Sequence, residues 1–212
     1  MNSLRFKIYA IVFIILFIPL TVRAEPVKIL AFGDSLTAGY GLDADQAYPE
    51  KLAMRLERKG YDIEMVNAGI SGDTTTGGLN RLKWTLKQNP DIVLLALGAN
   101  DALRFIDPSV PRKNLDDMLS ILQERNIPTV LLGMYAPRNA GAAYTGKFDA
   151  IYPDLAKKYD VAAYYPFILE GVAMNPDLNL EDRVHPNDRG TDIMADNLLS
   201  VVEPLVKRQQ NK

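Results

Sequence analysis

The chain carries one histidine, His185, and no cysteine among its 212 residues. Histidine can take a proton near neutral pH and return it, because its ordinary pKa is about 6.5. The neighbourhood of His185 offers a use for that property. Asp182 stands three residues earlier, and Pro186-Asn187-Asp188 follows as the opening of a helix. A turn over 182–185 can set the carboxylate against one imidazole nitrogen, fixing the tautomer and stabilising the imidazolium. The other nitrogen is then free to activate a hydroxyl. The candidate hydroxyl lies far upstream. Residues 29–41, ILAFGDSLTAGYG, run from an apolar segment into Gly33-Asp34-Ser35 and close on Gly39 and Gly41. A structural turn needs the glycines but has no need of the serine, whereas a nucleophile needs both. If Ser35 is activated by an imidazole, His185 is the only base available. The absence of cysteine excludes thiolate zinc sites and cysteine nucleophiles. A single histidine leaves no zinc or two-metal ligand set, so neither metal nor cofactor is expected.

Something must bring these distant residues together, and the hydrophobic pattern shows what. Short apolar runs at 28–32, 63–66, 92–97, 129–134 and 161–165 are mostly continuous, as in parallel strands covered on both faces. Between them, Leu52/Leu56, Leu79/Leu82/Leu86, Leu115/Met118/Leu119/Leu122 and Phe148/Ile151/Tyr152/Leu155 repeat at helical steps. Met194, Leu198, Val201, Val202 and Leu205 form the stripe of a last helix. This alternation predicts right-handed crossovers and one five-stranded parallel sheet in a three-layer α/β/α sandwich of flavodoxin-like type. Sites in such sheets form where loops leave the carboxyl ends of the strands. Three such loops, 33–35, 67–74 and 97–101, are rich in glycine and small polar residues and lie on one edge. Within them, Asp34, Asp73 and Asp101 are expected to hold loop backbone through local hydrogen bonds. Thr37, not glycine, stands two residues after Ser35, so the motif is not the G-x-S-x-G elbow of α/β-hydrolases.

The amino terminus is read separately. Arg5 and Lys7 precede an apolar run over 8–20, and Val22-Arg23-Ala24 places small residues at the −3 and −1 positions. That is the pattern of a secretory signal peptide over 1–24, cleaved after Ala24. The apolar run is shorter than the ~20 residues a membrane span needs, so no lasting membrane insertion is expected. Residues 25–212 suit a single domain with a full core. The whole chain has 24 basic and 26 acidic residues, and three of the bases fall in the leader, which leaves a charge of −5 on the remainder. A surface of that sign attracts neither nucleic acid nor anionic lipid. Without disulfides, an exported protein of this composition depends on core packing for its stability.

Gly33-Asp34-Ser35-Leu36, Gly72, Gly98-Ala99-Asn100-Asp101 and Asp182-Arg183-Val184-His185-Pro186 together resemble the four ordered sequence blocks of the SGNH (GDSL) hydrolases. Residues 67–74, NAGISGDT, and 151–156, IYPDLA, carry a closer similarity to its bacterial thioesterase and arylesterase branch. The resemblance implies that Ser35 attacks an acyl carbonyl, that His185 takes and returns the proton, and that Asp182 orients His185. It implies an oxyanion hole built from the backbone N–H groups of Ser35 and Gly72 and the side-chain amide of Asn100. Glycine at 72 would let the backbone approach substrate with no Cβ in the way. It further implies that two segments grip the acyl part of the substrate. One contains Leu103, Phe105 and Ile106, and the other contains Tyr135, Pro137 and Tyr144. The activity implied is a periplasmic or secreted serine esterase acting on small substrates: aryl esters, short-to-medium acyl esters, acyl thioesters and lysophospholipids. Carbohydrate O-acetylesterases share this fold and catalytic set and form the alternative, against which the apolar character of residues 103–106 argues.

Overall fold

The computed structural model describes residues 25–211; the predicted leader lies outside them. Five strands, β1 (Val27–Gly33), β2 (Ile63–Gly69), β3 (Ile92–Ala96), β4 (Thr129–Leu132) and β5 (Ala163–Tyr165), form one sheet in the order β2-β1-β3-β4-β5. Every pairing is parallel. Between the strands run α1 (Ser35–Ala38), α2 (Tyr48–Arg58), α3 (Thr75–Thr85), α4 (Ala99–Leu103), α5 (Ser109–Glu124), α6 (Ala142–Asp149) and α7 (Ile151–Tyr159). The long α8 (Asp188–Gln210) closes the fold. α2 packs on α8, while α5 packs on both α3 and α7, so the sheet lies between two helical layers, as the strand–helix alternation requires.

The central strands explain the continuous apolar runs. Residues 29–32 of β1 and 92–95 of β3 are completely buried, and Leu52, Leu56, Leu82, Leu115 and Leu198 cover them from the helices in one contiguous core. Strand register sets where the loops emerge. Gly33, the last residue of β1, is paired with Gly69 on β2 and with Ala96 on β3. Three strands therefore end level, and the loops beyond them open on one edge. β2 continues to Gly69, so Asn67-Ala68-Gly69, expected in the loop, belongs to the strand. At the other side β4 stops at Leu132, where Gly133 donates to the Tyr165 carbonyl and accepts from Ile168.

The helical pattern Phe148/Ile151/Tyr152/Leu155 belongs to two helices, α6 and α7, which meet at Ala150. Pro153 is the cause: its ring cannot donate to the carbonyl four residues back, that of Asp149, and would clash with it. The Asp149 side chain is used elsewhere, accepting from the Ala136 N–H and from Arg138. The periodicity survives the break because both helices turn the same apolar face to the sheet, with Phe148, Ile151 and Tyr152 all buried.

Candidate active site

Ser35 is the first residue of α1, delivered by the end of β1. Asp34 caps the helix, its Oδ1 accepting from the Leu36 N–H at 3.0 Å, which is the usual part of an aspartate at an N-cap. The residue is 1% exposed. Burial raises its pKa to about 6, against the pull of the Leu36 N–H, the Asn100 amide and His185.

His185 comes to Ser35 on a small hairpin. Leu180 donates to the His185 carbonyl at 2.8 Å, and Asn187 donates to that of Leu178 at 2.9 Å. At the tip Arg183 adopts a left-handed conformation, φ 58°, which turns the next two N–H groups inward. Those of Val184 and His185 both donate to Asp182 Oδ1, at 2.9 and 3.0 Å. Asp182 Oδ2 then meets His185 Nδ1 at 2.6 Å, and His185 Nε2 meets Ser35 Oγ at 2.9 Å. Partial burial works against the Asp182 charge, but the two N–H groups and the imidazole outweigh it and hold the carboxyl down at about 2. An ionised carboxylate only accepts, so Nδ1 carries the proton and Nε2 is the acceptor for the serine hydroxyl. This geometry can generate an alkoxide-like nucleophile and shelter the imidazolium that results.

The other predicted site residues come from separate loops. Asn100 lies in the first turn of α4, with Nδ2 at 3.5 Å from Asp34 Oδ2, the far limit of a hydrogen bond. Gly72 is exposed, with φ 79°, and a Cβ there would meet nothing nearer than Arg104 Nη2 at 3.6 Å. Arg104, just beyond α4, donates to the Gly72 carbonyl at 2.8 Å. The three candidate N–H donors thus follow three different strands at the level edge of the sheet.

Two of the three loop aspartates act differently from the sequence expectation. Asp34 does hold local backbone. Asp101, completely buried, accepts instead from the distant Thr75 N–H at 2.8 Å and Thr75 Oγ1 at 2.6 Å, so it ties α4 to the start of α3. Asp73 pairs with Arg81 Nε at 2.8 Å. Arg81 is a residue that sequence reasoning missed. Its remaining nitrogens donate to the Ala68 and Gly33 carbonyls at 2.9 Å each, and its guanidinium lies 3.9 Å above the Phe32 ring. One side chain thereby locks the ends of β1 and β2 to the loop that carries Gly72. Nothing in its sequence position distinguishes it from a surface arginine on a helix.

Beside the Ser35–His185 pair is a cavity of about 150 Å³. Leu103, Tyr135 and Pro137 line it, as do Leu36, Leu169 and Val184, which the sequence did not single out. Phe105, Ile106 and Tyr144 are not among the lining residues. Tyr144 is a strut: its hydroxyl donates to the Ile106 carbonyl at 2.8 Å, and its ring packs on Phe148 and against the edge of Phe105. The resemblance points to two segments, and within a segment it does not distinguish a residue on the cavity wall from one beside it.

The comparisons with known proteins bear on the family. The model of the GDSL-like lipase/acylhydrolase family matches residues 31–193, a span that contains every residue of the predicted site. The arylesterase of Vibrio mimicus is 39% identical over 181 residues, covering 85% of this chain and 88% of that one. Thioesterase 1/protease 1/lysophospholipase L1 of Escherichia coli K12 is 39% identical over 189 residues, 88% of this chain and 89% of that protein. Among solved structures, AlinE4, described as an SGNH-hydrolase family esterase, superposes with a TM-score of 0.73 at 46% identity, covering 88% of this chain and 98% of that one. With the ordered blocks and the sheet edge that assembles them, these matches place the chain in the GDSL-like lipase/acylhydrolase (SGNH hydrolase) family.

Proposed function

We propose that the protein hydrolyses small carboxylic esters and thioesters through an acyl-enzyme on Ser35. The observation that carries this reading is the Asp182–His185–Ser35 relay, with contacts of 2.6 and 2.9 Å. In acylation Ser35 Oγ attacks the carbonyl carbon while its proton passes to His185 Nε2. The carbonyl oxygen becomes an oxyanion, which the Ser35 and Gly72 N–H groups and the Asn100 amide receive. Collapse breaks the bond to the alcohol or thiol, which leaves with the proton from His185. Water, deprotonated by the same nitrogen, then releases the acid and restores the serine.

The mostly apolar lining of the cavity favours an acyl chain over a sugar, so aryl esters, short-to-medium acyl esters and thioesters are the substrate class, with lysophospholipids as larger members. The relatives named arylesterase and thioesterase/lysophospholipase support the same choice. We infer further that residues 1–24 direct export and are removed, so that residues 25–212 act as one domain in the periplasm. Among the described residues no helix is long and apolar enough to cross a membrane.

The test is a chain-length series of p-nitrophenyl esters alongside acetylated xylan, with fluorophosphonate labelling of the same preparation. Hydrolysis of the esters, an adduct on the Ser35 peptide and no acetate from xylan are the expected results. Preference for acetylated xylan would replace the substrate reading, and an adduct on Ser71 with Ser35 unmodified would overturn the mechanism.

A further inference from the structure

Tyr40 lies over the imidazole of His185, with ring centroids 4.5 Å apart and planes inclined by 38°. The backbone imposes this position. Gly39 and Gly41 are both left-handed, φ 72° and 77°, so the chain folds back around Tyr40, whose N–H donates to the Ser35 carbonyl at 3.1 Å. A Cβ at Gly41 would press on the Leu180 side chain at 2.7 Å, and one at Gly39 on that of Ala47 at 2.7 Å. Leu180 belongs to the hairpin that carries Asp182 and His185. The turn that begins with the nucleophile therefore ends against the element that carries the base. Core packing does not account for Tyr40, because the residue is 51% exposed.

We propose that Tyr40 is a positioning residue for His185, bracing one face of the imidazole so that Nε2 stays directed at Ser35 Oγ. The need for such a brace comes from the geometry. Asp182 and Ser35 hold the imidazole at its two nitrogens, on opposite edges of the ring. Both hydrogen bonds lie near the ring plane and resist turning about the Cβ–Cγ bond only softly, and a contact on the face opposes it. The electron-rich face of an aromatic ring also attracts a cation. It favours the imidazolium that exists only after Ser35 has given up its proton, so the contact strengthens as the transition state forms. The two glycines that frame Tyr40 then serve the base as much as the nucleophile.

This inference rests on His185 being the base, and the experiment separates the two. Tyr40→Ala should lower kcat on the order of tenfold or more through misalignment of the imidazole, with KM unchanged. Tyr40→Leu, which keeps apolar bulk but not the π face, should lower kcat about two- to fivefold. Tyr40→Phe should restore most of what Tyr40→Ala loses. Because His185 is the sole histidine, the ring C–H signal of its imidazole at Cε1 is identified without ambiguity by NMR. The ring-current displacement of that signal should persist in Tyr40→Phe and vanish in Tyr40→Leu. A rise in KM at constant kcat would make Tyr40 a substrate contact. Tyr40→Phe as poor as Tyr40→Ala would assign the effect to the hydroxyl, and an unmoved signal in Tyr40→Leu would remove the contact; each overturns the proposal. Failure of Ser35 to label in the wild type would instead count against the nucleophile, while the imidazole signal still reports the contact.

Discussion

Asp182 and His185 meet within four residues of chain, in a turn whose own N–H groups hold the carboxylate. Gly72 and Asn100 reach the nucleophile by another route. They sit on loops after different strands and are held by Arg81, Asp73, Asp101, Thr75 and Arg104, which bond across 8 to 48 positions of sequence. In the proposed mechanism the base side of the site is local and partly exposed, and the oxyanion side is long-range and braced by partly buried charge. A proton carrier can be placed largely by one short turn, with Tyr40 against its face, because it has a single partner in Ser35. Three donors that must point at one developing charge need a rigid frame, since preorganisation is what makes them effective.

Each side can be removed without the other. The largest effect is expected from His185→Ala, which removes the only imidazole in the chain. The loss in kcat should be on the order of 10⁴- to 10⁶-fold, read by steady-state kinetics on a p-nitrophenyl ester. A loss below about 100-fold would mean that another group serves as base. Asn100→Ala leaves the relay intact and removes one donor, so kcat should fall on the order of 10²- to 10³-fold with little change in KM. Near-full kcat in that variant would leave the two backbone N–H groups as the whole oxyanion hole.

Arg81→Met tests the frame rather than the chemistry. It strands the mostly buried Asp73 carboxylate, whose side chain is 11% exposed, and frees the Gly33 and Ala68 carbonyls. Unfolding in urea should show a loss of about 3 kcal/mol. A variant as stable as the wild type would show that strand pairing alone holds the loops.

The smallest effect concerns two carboxylates shifted in opposite directions. Asp182, held at about 2, adds stability above the ordinary carboxylate range and loses it only as pH falls through that value. Asp34, raised by burial to about 6, binds its proton more tightly in the folded protein than in the unfolded chain. Its contribution is complete below the ordinary carboxylate value and is lost as pH rises through about 6. Asp34→Asn keeps a capping side chain without the titration. The gap in melting temperature between wild type and variant should therefore move in favour of the variant from about pH 4 to pH 7. A constant gap would mean that Asp34 does not titrate in that range.

Much of the site was legible in the chain alone. The strand-to-turn passage at Ser35 and the spacing of Asp182 and His185 are local features, and local geometry follows from residue type and short spacing. The break between α6 and α7 also had a visible cause in Pro153, hidden because the apolar period runs straight through it. The separate tasks of Tyr144, a strut, and Tyr135, a wall, had no sequence signal at all, since both are tyrosines in the same stretch between β4 and α7.

By itself the sequence determined the alternation of strand and helix, the candidate hydroxyl and imidazole, and the turn that joins Asp182 to His185. Each depends on side-chain type and on spacings of a few residues, over which the backbone has few conformations. Only the tertiary structure decided that β1, β2 and β3 end level, that Arg81 and Asp101 tie their loops together, and that Tyr40 covers His185. Those contacts depend on strand register and on helices crossing the sheet, so the residues involved are brought together by the folding of the whole core and not by their neighbours in the chain.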